Sequence, residues 1–258
     1  MKISAHVLVK NEERFVWFAV MSVINYVDEV FVWDNGSSDK TSKIVSLIKS
    51  PKVKFRKVPE MSLQKAREEM IHETKADWIF ILDGDEIWHD GSIFEIRNGI
   101  EKSGDNKDCI VVPNYMLVGD IYHFQEREAG RYNVAGRRGH YNIRAVRNTK
   151  GLHVEGVYGN EAFVTKEGIK VQDLPENRIL MLNSPYLHAS FLKRKKFEIG
   201  DGFPSDFYYP EVFFRSRPEI VPSPWGSMSG NFKFLSFVET PFRKIYRRTF
   251  LSFKKHGY

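Results

Sequence analysis

Residues 78–88 read WIFILDGDEIW, five apolar residues followed by Asp83, Gly84, Asp85 and Glu86. An aliphatic run of this length predicts a buried strand, so acids stand where that strand surfaces. Alternate residues of an extended chain point to the same side. Asp83 and Asp85 can then face one ligand together, and Gly84 leaves room for a bulky group at the backbone. Adjacent carboxylates with oxygen-only chemistry suit Mg2+ or Mn2+ that substrate phosphates also hold. The plainer alternative is a solvated acidic turn, because Asp-x-Asp is short and frequent by chance.

The elements that must position these acids alternate in type. Strands are predicted at 3–9, 29–33, 52–58 and 77–82, and helices at 12–26, 39–49 and 63–75. Asn11, Ser37 or Ser38, and Ser62 are placed to cap the three helices. Strand–helix alternation with short links implies right-handed crossovers and a mainly parallel α/β sheet flanked by helices. Ligands of such sheets bind beyond the carboxyl ends of the strands. Asn11 and Glu12 follow the first strand, Asp34, Asn35 and Asp39 the second, and Asp83, Gly84 and Asp85 the fourth. Three loops should converge on one polar crevice. Another strand is expected at 109–118, short charged β-like pieces from 131 to 183, and an irregular aromatic-, Pro- and Gly-rich stretch at 200–230 lying against the main body.

The totals exclude several classes. The chain has 258 residues, 42% hydrophobic and 28% charged, which fits a folded core rather than disorder. One cysteine, Cys109, excludes an internal disulfide framework; it reads as a small buried side chain. No apolar run is long enough for a bilayer and no secretory cleavage pattern opens the sequence, so a cytoplasmic protein is expected. The net charge of +6 equals the six Lys and Arg of residues 241–258, a segment without acids. Nucleic acid is not expected as a partner, because no recognition module accompanies this local excess.

The ordered set VKNEE, WDNGSSDKT, KAR and ILDGDE resembles the nucleotide-sugar glycosyltransferases of the GT-A fold, and their large inverting family two in particular. The likeness covers roughly residues 1–190 and extends to lipopolysaccharide-core-type members. Lys40 stands where the family usually has Gly, and Glu68 where Asn is usual. The QxxRW of processive synthases is absent, which points to single addition. The resemblance implies Asn11 and Glu12 at the ribose or base of the donor, Asp34 at the base or ribose with Asn35 beside it, and Arg67 near the diphosphate or base. It implies Asp83 at the ribose or, through water, the metal, with Gly84 between, and Asp85 on Mn2+ or Mg2+ directly. Donor and acceptor would be a UDP-sugar and a glycan or lipid-linked hydroxyl, in cell-surface polysaccharide or lipopolysaccharide synthesis.

Inverting transfer needs a base for the acceptor hydroxyl. The family's His-Glu pair aligns with Asn160-Glu161, which favours Glu161 with Glu155 second; a surface carboxylate is the alternative. His188 follows an apolar run where such enzymes often complete the metal site; a structural histidine is the other reading. Residues 126–147 hold six arginines, read as a solvated face or an acceptor-side surface for an anionic glycan or lipid phosphate.

Residues 1–190 are thus expected to form the catalytic domain, 191–240 an irregular or helical extension, and 241–258 a basic amphipathic tail. On a helix, Phe242, Ile245, Tyr246 and Phe253 share a side, which suits an interfacial helix on anionic lipid at the inner face of the membrane. The alternative is a helix packed on the domain with a basic outer face. Two other functions compete: a haloacid-dehalogenase-like phosphotransferase with Asp83 as nucleophile, and a non-catalytic protein that binds a nucleotide sugar or membrane.

Overall fold

The structure is a computed structural model that describes residues 1–104, 106–157, 161–193 and 197–249. In chain order the strands are β1 (Ile3–Val9), β2 (Glu29–Asp34), β3 (Val53–Lys57), β4 (Trp78–Asp83), β5 (Glu86–Ile87), β6 (Cys109–Met116), β7 (His123–Phe124), β8 (Tyr132–Val134), β9 (Arg137–Gly139), β10 (Tyr141–Arg147), β11 (His153–Glu155), β12 (Ala162–Val164), β13 (Ile179–Met181), β14 (Tyr186–His188) and β15 (Asp201–Gly202). The helices are α1 (Val16–Val23), α2 (Thr41–Ser46), α3 (Leu63–Glu73), α4 (Asp90–Ser103), α5 (Ser190–Lys193) and α6 (Gly230–Thr249).

The main sheet has the order β3-β2-β1-β4-β10-β6-β14-β5, with β13 also paired to β6. β3, β2, β1 and β4 are mutually parallel, as their crossovers require. β10 runs antiparallel to both β4 and β6, β14 is parallel to β6, and β5 is antiparallel to β14. This is an α/β architecture consistent with the GT-A fold. All seven residues of β1 are buried, the signature of a strand covered on both faces. The largest core cluster joins β1, β2 and β4 to α1 and α4, and takes in Val212, Phe213 and Val221 from the aromatic-rich stretch. Phe203, Phe207 and Tyr209 of that stretch pack ring against ring beside Tyr115 and Phe124.

Two expected caps are used otherwise. α1 starts at Val16, later than expected, and has no side-chain cap. Asn11 instead turns the chain with φ +57°, and its Oδ1 accepts from the Ser38 N–H at 2.8 Å. Ser37 donates its N–H to Asp34 Oδ1 at 2.8 Å, so the serines brace the loops and Asp39 Oδ1 accepts from the Thr41 N–H at the start of α2. Ser62 does cap α3, accepting from the Lys65 N–H at 3.2 Å. Cys109 is buried, and burial first of all pushes its thiol up to about 12.

Candidate active site

The sheet register assembles the site. Val9 pairs with Asp34 and Leu8 with Asp83, so the carboxyl ends of β1, β2 and β4 lie side by side. Asn11, Asp34 and Asp83 therefore come from three adjacent strand ends. After Asp85 the chain reverses into β5, which lies antiparallel to β14 and sets Glu86 opposite His188. β14 also hydrogen-bonds onward: the Leu117 N–H donates to the His188 carbonyl at 2.9 Å, and the Ala189 N–H to that of Asp85 at 2.8 Å. His188 and the acids thus meet because two short strands fold back on the end of β4.

The acids divide between two environments. Asp83 lies between Arg67 Nη2 at 3.4 Å and Arg144 Nη2 at 3.2 Å. Burial pushes the Asp83 carboxyl up, but Arg144 and Arg67 outweigh it and hold the group below its usual range. Glu86 is fully buried and pairs closely with Arg144. Burial raises Glu86 to about 7 against the pull of Arg144. Arg144 also donates through Nε to the Tyr186 hydroxyl at 3.0 Å, which Asn142 Nδ2 contacts at 2.6 Å. A buried arginine thus joins Asp83, Glu86 and Tyr186.

Asp85 has a different neighbourhood. Its Oδ1 lies 3.5 Å from His188 Nε2. Burial lowers the His188 imidazole, but Asp85 and then Glu86 reverse this and raise it on balance. Glu12 is raised to about 7, first by burial and next by the Asp85 charge, against the opposing pull of Lys193. Lys193 pairs with Glu12 and donates to the Lys10 carbonyl at 3.0 Å, but its side chain is 43% exposed, whereas that of Arg144 is 6% exposed. The cation beside Glu12 can swing into solvent; the one beside Glu86 cannot.

Asp34 is buried and accepts from Ser37 and Ser42. Asn35 exchanges hydrogen bonds with the Met61 backbone, Nδ2 to the carbonyl and N–H to Oδ1, both 2.9 Å. Its amide therefore ties the loop after β3 to the loop after β2. A Cβ on Gly84 would stand 2.8 Å from Val9 Cγ1 and 2.9 Å from Glu12 Cγ. The glycine is required because β1 and Glu12 fill that space, which corrects the expectation of room for a ligand. Glu155 lies at the end of β11 and pairs with His153 at 3.1 Å; Glu161 precedes β12 and is half-buried. The β11–β12 hairpin rests on α3, held by Gln64 Nε2 to the Val154 carbonyl at 3.0 Å. Asn160 lies outside the described residues.

Arg144 and Lys193 were missed as site residues. Arg144 was one of six arginines read as a single surface. The alternation Asn142-Ile143-Arg144 leading into Ala145-Val146 was the available signal, since a charge inside an apolar strand needs a buried partner. Lys193 carries no comparable signal, because residues 193–196 are all basic.

Asp83, Glu86 and His188 present ligand atoms within 4.8 Å of one another, a possible acidic site for a divalent metal. Arg144 already occupies the cation position beside two of them. Asp85 adds a further carboxylate beside His188 at 3.5 Å, and its charge raises Glu12, so hard oxygens and one imidazole, the ligand types that suit Mn2+ or Mg2+, gather at this end of the sheet.

A mostly parallel sheet whose strand ends gather acids, in this order along the chain, is consistent with a GT-A-type α/β protein. Residues 4–166 match the family described as Glycosyl transferase family 2, and the chain belongs to that family. No curated protein matches the chain. Among solved structures, S. aureus TarS 1-349 is similar with TM-score 0.51 at 15% identity, over 76% of this chain and 62% of that one. In that comparison the chain spans less than two thirds of the TarS fragment. The same fragment in complex with UDP-GlcNAc is similar over 98% of this chain and 77% of that one, again with TM-score 0.51 and 15% identity. Glucosyl-3-phosphoglycerate synthase from Mycobacterium tuberculosis, in complex with Mn2+, UDP-glucose and phosphoglyceric acid, shows 19% identity and TM-score 0.47 over 72% of this chain and 71% of that one. Family membership removes the phosphotransferase reading of Asp83. Among the described residues no helix is long and apolar enough to cross a membrane.

Proposed function

We propose that this chain transfers a sugar, with inversion, from a nucleotide sugar to a hydroxyl of a glycan or lipid-linked acceptor. The UDP-GlcNAc bound by TarS, whose fold this chain shares, supports a UDP-sugar donor. Cell-surface polysaccharide or lipopolysaccharide synthesis is the setting that suits such an acceptor. The observation that carries the reading is the convergence of Asn11, Asp34, Asp83 and Asp85 at adjacent strand ends, with Glu12 raised by burial and by the Asp85 charge.

In this reading residues 1–190 bind the donor and carry the reaction. Asn11, Asp34 and Asn35 shape the nucleoside end, with Asn35 acting through the loop it ties to Met61. Arg67, Asp83 and Gly84 stand at the join between nucleoside and diphosphate. Asp85 and His188, with Asp83 and Glu12 beside them, would hold Mn2+ or Mg2+, which when bound supplies a Lewis acid for the leaving diphosphate. Buried Arg144 fixes the Asp83 carboxylate in place and keeps it ionised. Glu161 takes the proton from the acceptor hydroxyl as it attacks, with Glu155 the second candidate.

Calorimetry of UDP and UDP-sugars with and without Mn2+, on wild type and Asp85→Ala, tests the proposal. Metal-dependent binding of one nucleotide, lost in the variant, is expected. Metal-independent binding equal in both proteins overturns the metal role. Tight binding with no turnover over a panel of hydroxyl acceptors favours a non-catalytic nucleotide-sugar binder.

A further inference from the structure

The face of α6 turned toward the domain is mostly polar, with Phe232 against Phe197 at its start. Ser236 and Thr240 are its buried residues, and Thr240 Oγ1 accepts from the Ile199 N–H at 2.7 Å. Lys244 and Arg247 reach Glu126 at 2.9 and 2.8 Å, and Arg247 also reaches buried Glu198 at 2.7 Å. Basic residues expected to face outward are therefore the ones that dock the helix.

The opposite face is apolar and exposed. Phe234, Phe237 and Phe242 are 69%, 71% and 71% exposed, and Val238, Ile245 and Tyr246 are exposed with them. At about 3.6 residues per turn, positions 234, 238, 241, 242 and 245 fall on one stripe, with 237 and 246 at its margins. Lys233 is exposed beside the stripe and Arg248 at its C-terminal end. The single acid of the helix, Glu239, is neutralised by Arg243 at 2.6 Å. Large contiguous apolar patches are rare on monomeric soluble proteins and mark an interaction surface. A second copy seated here would bring two basic margins together with no acid to meet them. An anionic lipid surface complements both the apolar stripe and its charge.

We infer that α6 lies in the interface of an anionic bilayer, its apolar stripe at the boundary of headgroups and acyl chains, its polar face holding the domain above. The occupant is the lipid surface itself. The inference rests on the packing of α6 and not on the transfer reaction. It moves the membrane segment to begin at Gly230; residues 250–258 of the expected tail lie outside the described residues.

The test is sedimentation of the full chain with vesicles of phosphatidylcholine plus phosphatidylglycerol, and with phosphatidylcholine alone. Wild type should sediment with the anionic vesicles and about tenfold or more weakly with neutral ones. The double variant Phe242→Glu, Ile245→Glu should lose binding by about tenfold or more, with its thermal midpoint unchanged because both side chains are exposed. Lys233→Glu with Arg248→Glu should weaken binding to anionic vesicles only. Equal binding by wild type and the Phe242/Ile245 variant, or no binding to either vesicle, overturns the proposal. So does a wild-type dimer that the same variant converts to monomer, which would assign the stripe to a second copy. Metal-dependent nucleotide binding, measured separately, keeps a failure here distinct from a failure of the catalytic reading.

Discussion

Asp83 and Asp85 are two residues apart in one tetrapeptide, yet the fold gives them opposite surroundings. On one side Asp83 and Glu86 share a buried guanidinium, and Arg67 adds a second charge to Asp83. On the other, the Asp85 charge raises Glu12, and the cationic neighbours are His188 and the part-exposed Lys193. Removing charges from water costs several kcal/mol each unless partners are close and well oriented. Burial raises one carboxyl on each side, Glu86 and Glu12, to about 7, but the cation on the Asp83 side is buried and fixed whereas Lys193 on the Asp85 side is 43% exposed and free to yield its place to a divalent cation. Two acids of one motif therefore divide into a supported side, faced by a fixed cation, and a side proposed to be receptive to a metal.

The largest effect should come from breaking the supported side. Arg144→Met leaves buried Glu86 without its cation and part-exposed Asp83 with Arg67 alone. Loss of about 3–5 kcal/mol is expected, the scale for removing one partner of a buried pair, measured by urea denaturation. Adding Glu86→Gln should recover much of it, since the uncharged amide no longer demands a guanidinium. Equal destabilisation by the single and double variants would sink the idea that Arg144 serves chiefly to neutralise Glu86.

The receptive side should respond in binding and hardly in stability. Asp85→Asn preserves shape and removes charge. Mn2+ affinity should fall by about a hundredfold, roughly 2.7 kcal/mol, with the thermal midpoint of the metal-free protein unchanged or raised because Glu12 loses a repelling neighbour. Mn2+ titration followed by calorimetry reads the first quantity and a thermal melt the second. A lowered midpoint with intact Mn2+ binding would reverse the assignment of the two sides.

This division explains what was legible beforehand. β1, β2, β3 and β4 are continuous or near-continuous strands with short links, so their order and their convergent ends follow from local pattern and crossover handedness. Asn11, Asp34, Asp83 and Asp85 stood out because they sit where apolar strands stop. Arg144 did not, because its role depends on β10 inserting antiparallel beside β4, a pairing made by residues more than 60 positions apart. The start of α1 was misplaced for a related reason: Asn11 is drawn to Ser38 of the next loop, so a long-range bond overrides a local cap. On α6 the helix and its amphipathicity were readable, but which face docks depended on Glu126 and Glu198, distant acids that no periodicity reveals.

Gly84 joins the two sides, and its substitution tests how closely they are coupled. A methyl at this position meets Val9 and Glu12 inside ordinary contact distance. Gly84→Ala should cost about 1–3 kcal/mol, the usual range for overpacking. Because one contact is the Glu12 side chain, Mn2+ affinity should fall as well. A variant that loses stability with Mn2+ binding unchanged would show that Glu12 lies outside the metal's reach.

The smallest effect is the most specific to the receptive side. Glu12 is raised to about 7, so below neutral pH it carries a proton that a metal must displace. The sign is therefore fixed: Mn2+ affinity should increase as pH rises through 7, by up to about tenfold per pH unit below it for one proton displaced. Glu12→Gln removes that proton and should flatten the step. Residual pH dependence would then come from His188, which is raised on balance by Asp85 and Glu86 and must also lose its proton to ligate. His188→Asn in the Glu12→Gln background should remove that remainder. If the step near neutrality survives both substitutions, the pH-sensitive ligand lies elsewhere, and the receptive side is not the metal site.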